Sequence, residues 1–216
     1  MEPWTYLKFP YLKKRGWKGF VEGIDSSIYC ATPLARLNVA DRMATPAAQE
    51  AFQEMFSTLG GKPCKALMAQ HWARLVEMVQ NAETLRKYCA EPGITGDDFR
   101  IIPDRITGEG IGIVEAMRGT LTHHYTCDKK GICTSANLIV GTTNNNAPIH
   151  MVTKKAARAV IRPGVEPTPG ILNRVEMAFR AFDPCFSCAT HSLPGQMPLE
   201  VRIHKGGEVR WTFKRP

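Results

Sequence analysis

The feature that most constrains this chain is a stripe of residues through positions 65–89. Leu67, His71, Leu75, Met78, Ala82, Leu85 and Cys89 recur at spacings of three and four, which places them on one face of an α-helix. Trp72, Val76 and Val79 widen that face, and Glu91-Pro92-Gly93 ends it. At a rise of ~1.5 Å per residue the helix is ~37 Å long, a length suited to a multi-helix bundle. The stripe is expected to face a core, with Cys89 as a core thiol.

The remaining elements are shorter. Thr45-Pro46 gives an N-cap followed by proline at the first helical position, opening a helix that runs to about Leu59 before Gly60-Gly61. Residues 1–35 are rich in aromatic, Pro and Gly residues without helix signals, and read as an irregular strand-and-loop connector. Residues 99–106, 111–115, 121–126 and 136–140 are β-prone runs separated by glycine-containing turns. A helix is expected at 154–161, closed by Arg162-Pro163-Gly164. Thr168-Pro169-Gly170 caps another, with Ile171, Val175, Ala178 and Phe182 inward and Asp183-Pro184 as its stop. The chain ends in a hairpin, 199–203 and 209–213 around Gly206-Gly207. The fold class is mainly α with small β elements, α+β.

A length of 216 residues gives one domain, or one with an appendage. No apolar run reaches the ~18–20 residues that span a bilayer, and the N-terminus carries no apolar signal region, so a cytoplasmic protein with no membrane partner is expected. The net charge of +8 sits at the two ends, in residues 1–20 and 202–216, around a body that balances. Solvated basic ends explain this better than nucleic-acid binding, because no basic helix accompanies them. Seven cysteines without a signal peptide read as thiols, redox groups or metal ligands rather than a disulfide framework.

Chemistry concentrates in Asp183-Pro184-Cys185-Phe186-Ser187-Cys188-Ala189-Thr190-His191, which holds the chain's one C-x-x-C pair. Two thiols three apart can face one metal, and soft thiolates select zinc, copper(I), iron–sulfur clusters or nickel. His191 adds a third donor where zinc wants four, so a small zinc or dithiol site stays open as an alternative.

These residues resemble the C-terminal metal motif of nickel–iron hydrogenase large subunits. Three further stretches agree. Gly108-Glu109-Gly110-Ile111-Gly112 to Glu115-Ala116-Met117-Arg118-Gly119 is similar to the family's glycine-rich approach to an arginine. Residues 137–146, Asn-Leu-Ile-Val-Gly-Thr-Thr-Asn-Asn-Asn, look like its loop over the iron. Pro33-Leu34-Ala35-Arg36-Leu37-Asn38-Val39 resembles the soluble branch coupled to NAD(P), deazaflavin or heterodisulfide reductase. The resemblance spans residues 6–201 and implies the helical-bundle half of a large subunit with a C-terminal β-hairpin tail.

The resemblance implies Cys185 as a terminal nickel ligand and Cys188 as a bridge from nickel to iron. It places Arg118 over the iron's cyanide and carbon monoxide ligands, and Thr142 as a hydrogen-bond donor to a cyanide. His191 would bind a magnesium or iron ion, with the Leu138 carbonyl as co-ligand. The implied activity is reversible heterolytic cleavage of hydrogen, with electrons leaving through a partner iron–sulfur small subunit to electron-acceptor subunits. A maturation protease and a chaperone are implied as well. Residues 1–191 would form the mature part and residues 192–216 an extension removed on maturation.

Two departures stand out. Met117 replaces a usual proline. The family's N-terminal Arg-x-Cys-Gly-x-Cys motif, with two further nickel cysteines and a proton-relaying glutamate, is absent. The N-terminal half of the large subunit is therefore an expected missing partner, and the chain alone is expected to be inactive. That gap fits a split large subunit, and equally a fragment or a truncated non-catalytic module.

Overall fold

The computed structural model describes residues 7–190 and 199–215, and divides into two units, residues 30–141 and residues up to 29 together with those from 142 onward. In the first unit, helices α1 (Pro33–Val39), α2 (Pro46–Thr58) and α3 (Ala69–Cys89) share one core. Each of the first two starts on a proline, whose missing N–H costs nothing in a first turn. Thr32 caps α1, its hydroxyl accepting from the Ala35 amide at 3.3 Å. Leu34, Leu37, Phe52, Met55, Phe56, Ala73 and Val76 fill the core. The Glu83 carboxylate on α3 accepts from the Ala47 and Ala48 amides at 3.4 and 3.2 Å, satisfying first-turn donors of α2.

Helix α3 forms where expected but is turned the other way. Its buried residues are Ala69, Gln70, Ala73 and Val76. Leu75, Met78 and Leu85 are 58%, 62% and 64% exposed, and His71, Ala82 and Cys89, all exposed, lie on the same outward side. Cys89 is therefore not a core thiol. Two causes fix this rotation. Small residues at 69 and 73 let the helix approach closely, and the acidic anchors Glu77 and Glu83 must face their partners on α1 and α2.

An antiparallel meander follows: β1 (Glu109–Ala116), β2 (Gly119–Cys127) and β3 (Cys133–Ile139). Pairing of Ala116 with Gly119 leaves Met117 and Arg118 as a two-residue turn. Residues 99–106 are not a strand, contrary to the reading of the sequence. Their β-branched side chains are exposed, Ile101 at 91%, with no neighbouring strand to pair with. The 1–35 reading also missed α1, whose signal is only a Thr-Pro cap and one turn of apolar residues.

The second unit holds α4 (Gly141–Asn144), α5 (Asn146–Val160), α6 (Pro169–Arg180), α7 (Phe186–Thr190) and the hairpin β4 (Leu199–Lys205) and β5 (Glu208–Arg215). Helix α5 begins two turns before the expected residue 154. The asparagines and Pro148 suggested a loop, yet proline is tolerated in a first turn. Thr168 caps α6, accepting from the Ile171 amide at 3.3 Å. Val175, Ala178 and Phe182 are buried and Ile171 half-buried, as the spacing implied. Gly206 and Gly207, at φ 62° and 88°, close the hairpin in the left-handed conformation its tight turn needs. Val201 pairs with Phe213, and both line a cavity of about 910 Å³ with Ile149, Leu172, Phe179 and Phe186, so the hairpin's apolar face lies against the helices.

The segment 7–29 contains one 3-10 turn, Lys13–Arg15, and no strand among its described residues. Its Phe9 and Phe20 rings pack on His150 of α5 at 5.1 and 6.0 Å. Burial there lowers the His150 pKa. No helix among the described residues is long and apolar enough to cross a membrane.

Candidate metal centre

Helix α6 delivers the thiols. Buried Ala181 and Phe182 anchor its end, and Asp183 then turns the chain with a left-handed φ of 50°, unusual for a residue with a side chain. Pro184 follows, and Cys185 and Cys188 flank the first turn of α7. Their Cα atoms are 5.4 Å apart and their sulfurs are joined as a disulfide. One helical turn brings the two sulfurs within bonding reach, the dithiol arrangement that the C-x-x-C spacing left open. Cys30, Cys64, Cys89, Cys127 and Cys133 are free thiols.

Thr142 holds the thiol segment from behind. Its hydroxyl oxygen accepts from the Cys185 amide at 3.0 Å, which leaves the hydroxyl hydrogen able to donate elsewhere. The run Thr142, Thr143, Asn144, Asn145 and Asn146 is almost wholly buried, so each polar group needs a partner. The Tyr29 hydroxyl donates to Asn144 Oδ1 at 2.6 Å, and Asn146 Nδ2 donates to the Lys8 carbonyl at 2.9 Å. Burial raises the Tyr29 pKa, keeping it a neutral donor. The Thr143 hydroxyl is buried with no hydrogen-bond partner among the described residues.

Arg118 and Leu138 belong to the other unit. Arg118 sits half-buried in the β1–β2 turn. The next residue must be glycine: a Cβ on Gly119, at φ 149°, would stand 2.0 Å from the Ala31 carbonyl oxygen. Arg36 grips the same turn. It forms a two-pronged pair with Glu77, at 2.8 and 2.6 Å, and also donates to the Ala116 carbonyl at 2.9 Å and the Met117 carbonyl at 3.4 Å. Leu138 lies in β3 opposite His123 and is half-buried. His191 lies outside the described residues.

The structure thus brings Thr142 to Cys185 and Cys188. Among the described residues, no group of three His, Cys, Asp or Glu side chains gathers to hold a metal. Sequence reasoning missed the Arg36–Glu77 clamp and the orphaned Thr143 hydroxyl. Arg36 was visible inside its motif, but its partner, 41 residues on, carried no local signal.

Residues 27–191 match the nickel-dependent hydrogenase family, and the chain belongs to that family. It is 50% identical over 98% of its length to an F420-non-reducing hydrogenase iron-sulfur subunit of Archaeoglobus profundus, of which it covers 44%. To the beta subunit of the NAD-reducing hydrogenase HoxS of Cupriavidus necator it is 40% identical over 94% of its length, covering 40% of that protein. In fold it is similar to the crystal structure of an NAD+-reducing [NiFe]-hydrogenase in the H2-reduced state. There the TM-score is 0.77 at 40% identity, over 88% of this chain and 40% of that one. The chain therefore spans less than half the length of these relatives. The residues present fit part of a nickel–iron centre: Cys185 and Cys188, once reduced to thiolates, suit soft metals, and Thr142, which accepts from the Cys185 amide, keeps a hydroxyl hydrogen to donate.

Proposed function

We propose that the chain is the C-terminal part of a nickel–iron hydrogenase large subunit, catalysing reversible heterolytic cleavage of hydrogen once the remainder of that subunit is supplied. The observation that carries this reading is the adjacency of Cys185 and Cys188, held by the Thr142–Cys185 hydrogen bond. Cys185 would be a terminal nickel ligand and Cys188 a bridge to iron. When bound, the centre supplies the two-electron chemistry that separates hydrogen into protons and electrons. Thr142 would donate its remaining hydrogen to a cyanide on iron. Arg118 would present its fixed guanidinium fork to the diatomic ligands, steadied by Arg36 through the turn carbonyls. His191, with the Leu138 carbonyl, would hold a magnesium or iron ion.

Two thiolates leave nickel half-coordinated, so the absent Arg-x-Cys-Gly-x-Cys segment must come from elsewhere. An iron–sulfur small subunit would take the electrons on to acceptor subunits, and the setting would be cytoplasmic. Residues 192–216 would be removed by a maturation protease, assisted by a chaperone, after metal insertion. The docked hairpin supports a role for this tail in holding the thiol segment open until then.

The test is to co-produce the chain with the part of the Archaeoglobus profundus relative that it does not match, together with that organism's partner subunits and maturation proteins. Hydrogen-dependent viologen reduction is expected from the assembly and not from the chain alone. An assembly that loads nickel yet never reduces viologen would favour the non-catalytic module. The Cys185–Cys188 disulfide favours a second reading, a dithiol module without nickel, which would show reversible thiol oxidation and no nickel uptake.

A further inference from the structure

The outward face of α3 is a continuous seam. His71, Leu75, Met78, Ala82, Leu85 and Cys89 are all exposed, and their spacings run four, three, four, three, four. That is the a/d pattern by which one helix packs along another at a shallow crossing angle. The seam is ~27 Å long at ~1.5 Å per residue, a row of five turns. The opposite face of the same helix is already packed in the core through Ala69, Ala73 and Val76. A helix apolar on two faces belongs between two layers, and the described residues of this unit supply one.

Charge narrows the occupant. Arg74 and Arg86 flank the seam, while the helix's two carboxylates, Glu77 and Glu83, are turned to the other face and engaged there by Arg36 and by the α2 amides. A second copy of α3 would bring the same basic flanks and no carboxylate to meet them. A helix with its own apolar seam and acidic flanks complements the surface. The relatives supply a source, since the chain matches only 44% of the Archaeoglobus profundus protein.

We propose that the His71–Cys89 seam of α3 is the docking surface for an acidic-flanked helix from the part of the large subunit that lies outside this chain's match, whether in cis or in trans. The inference rests on the reading of the chain as part of a large subunit. It adds the surface through which the two parts join. Docking there would clamp α3 from both sides and so hold the Glu77–Arg36 pair that grips the Arg118 turn.

The experiment co-produces the tagged full chain with the unmatched part of the Archaeoglobus profundus relative and that organism's maturation proteins, and measures how much of the unmatched part co-purifies. Three variants are compared with the native chain: Leu75→Glu with Leu85→Glu, Arg86→Glu, and Val39→Glu as an exposed apolar control off the seam. The double seam variant is expected to retain less than about one tenth of the native capture, since truncating central interface positions dominates binding. Arg86→Glu should lower it by a smaller factor, and Val39→Glu should leave it unchanged. Melting curves of each chain alone verify that the variants fold. Native capture by the seam variant, no capture by the native chain, or self-association through the seam that the co-produced part does not displace would each overturn the proposal. Nickel measured in the same preparations separates the two claims. Seam-dependent capture without nickel contradicts the hydrogenase reading and keeps the docking surface, whereas nickel loading that ignores the seam variants does the reverse.

Discussion

Helices α3 and α6 carry the same kind of sequence signal and come to opposite ends. In α6 the stripe Ile171, Val175, Ala178 and Phe182 faces inward and carries the chain to the thiols. In α3 the stronger stripe faces outward, and the buried side is made of small residues and two engaged carboxylates. The contrast teaches that apolar periodicity identifies a face that wants covering, without saying which chain covers it. In α6 the cover is local. In α3 it lies outside the sequence.

Breaking the inward stripe should cost most. Phe182→Ala removes a side chain only 4% exposed at the entry to the thiol turn, and is expected to destabilise the chain by about 3–5 kcal/mol in urea melts. Under 1 kcal/mol would show that α6 does not anchor this turn. Glu77→Gln removes one charge from the α3 face that does bury, leaving Arg36, at 17% exposure, with the Glu115 carboxylate at 4.0 Å as its remaining ion pair. A loss of about 2–3 kcal/mol is expected, with faster amide exchange in the 116–119 turn that Arg36 grips. An unchanged turn would detach Arg36 from the placement of Arg118. On the outward stripe, Leu85→Ala should cost under about 0.5 kcal/mol in the isolated chain, since the residue is already exposed. A larger loss would mean the stripe is covered in solution.

The smallest effect concerns α5, where His150 packs against Phe9 and Phe20. Its pKa is lowered by burial, so the folded chain favours the neutral ring while the unfolded chain takes up a proton near the ordinary value of about 6.5. The stabilisation of the neutral form is therefore present above that pH and is lost as pH falls below it. Urea melts at pH 7.5 and 5.5 should show a decline that is smaller in His150→Phe. An equal decline in both would place the titration elsewhere.

What could be read in advance follows the range of each interaction. The α2 and α6 starts were legible because proline at the first helical position, joined at α6 by the Thr168 cap, acts within one turn, and the hairpin because Gly206-Gly207 and alternation are local. The C-x-x-C pair was legible as a place where two sulfurs meet, though not as a disulfide. The rotation of α3 was hidden because Glu77 and Glu83 take their direction from residues about forty positions away. Residues 99–106 had strand-forming side chains but no neighbour to pair with, a fact of topology rather than composition. The orphaned Thr143 hydroxyl carries no sequence signal, because a buried threonine and a turn threonine look alike until the fold is known.

The most direct test of the account is nickel in the assembled complex. Chain and remainder are produced together with the maturation proteins, once native, once with Cys185→Ala and once with Cys188→Ala, and nickel is measured per purified complex. The account predicts stoichiometric nickel in the native complex and its loss in both variants, with the two polypeptides still associated. Nickel retained at the native level without either cysteine would contradict it.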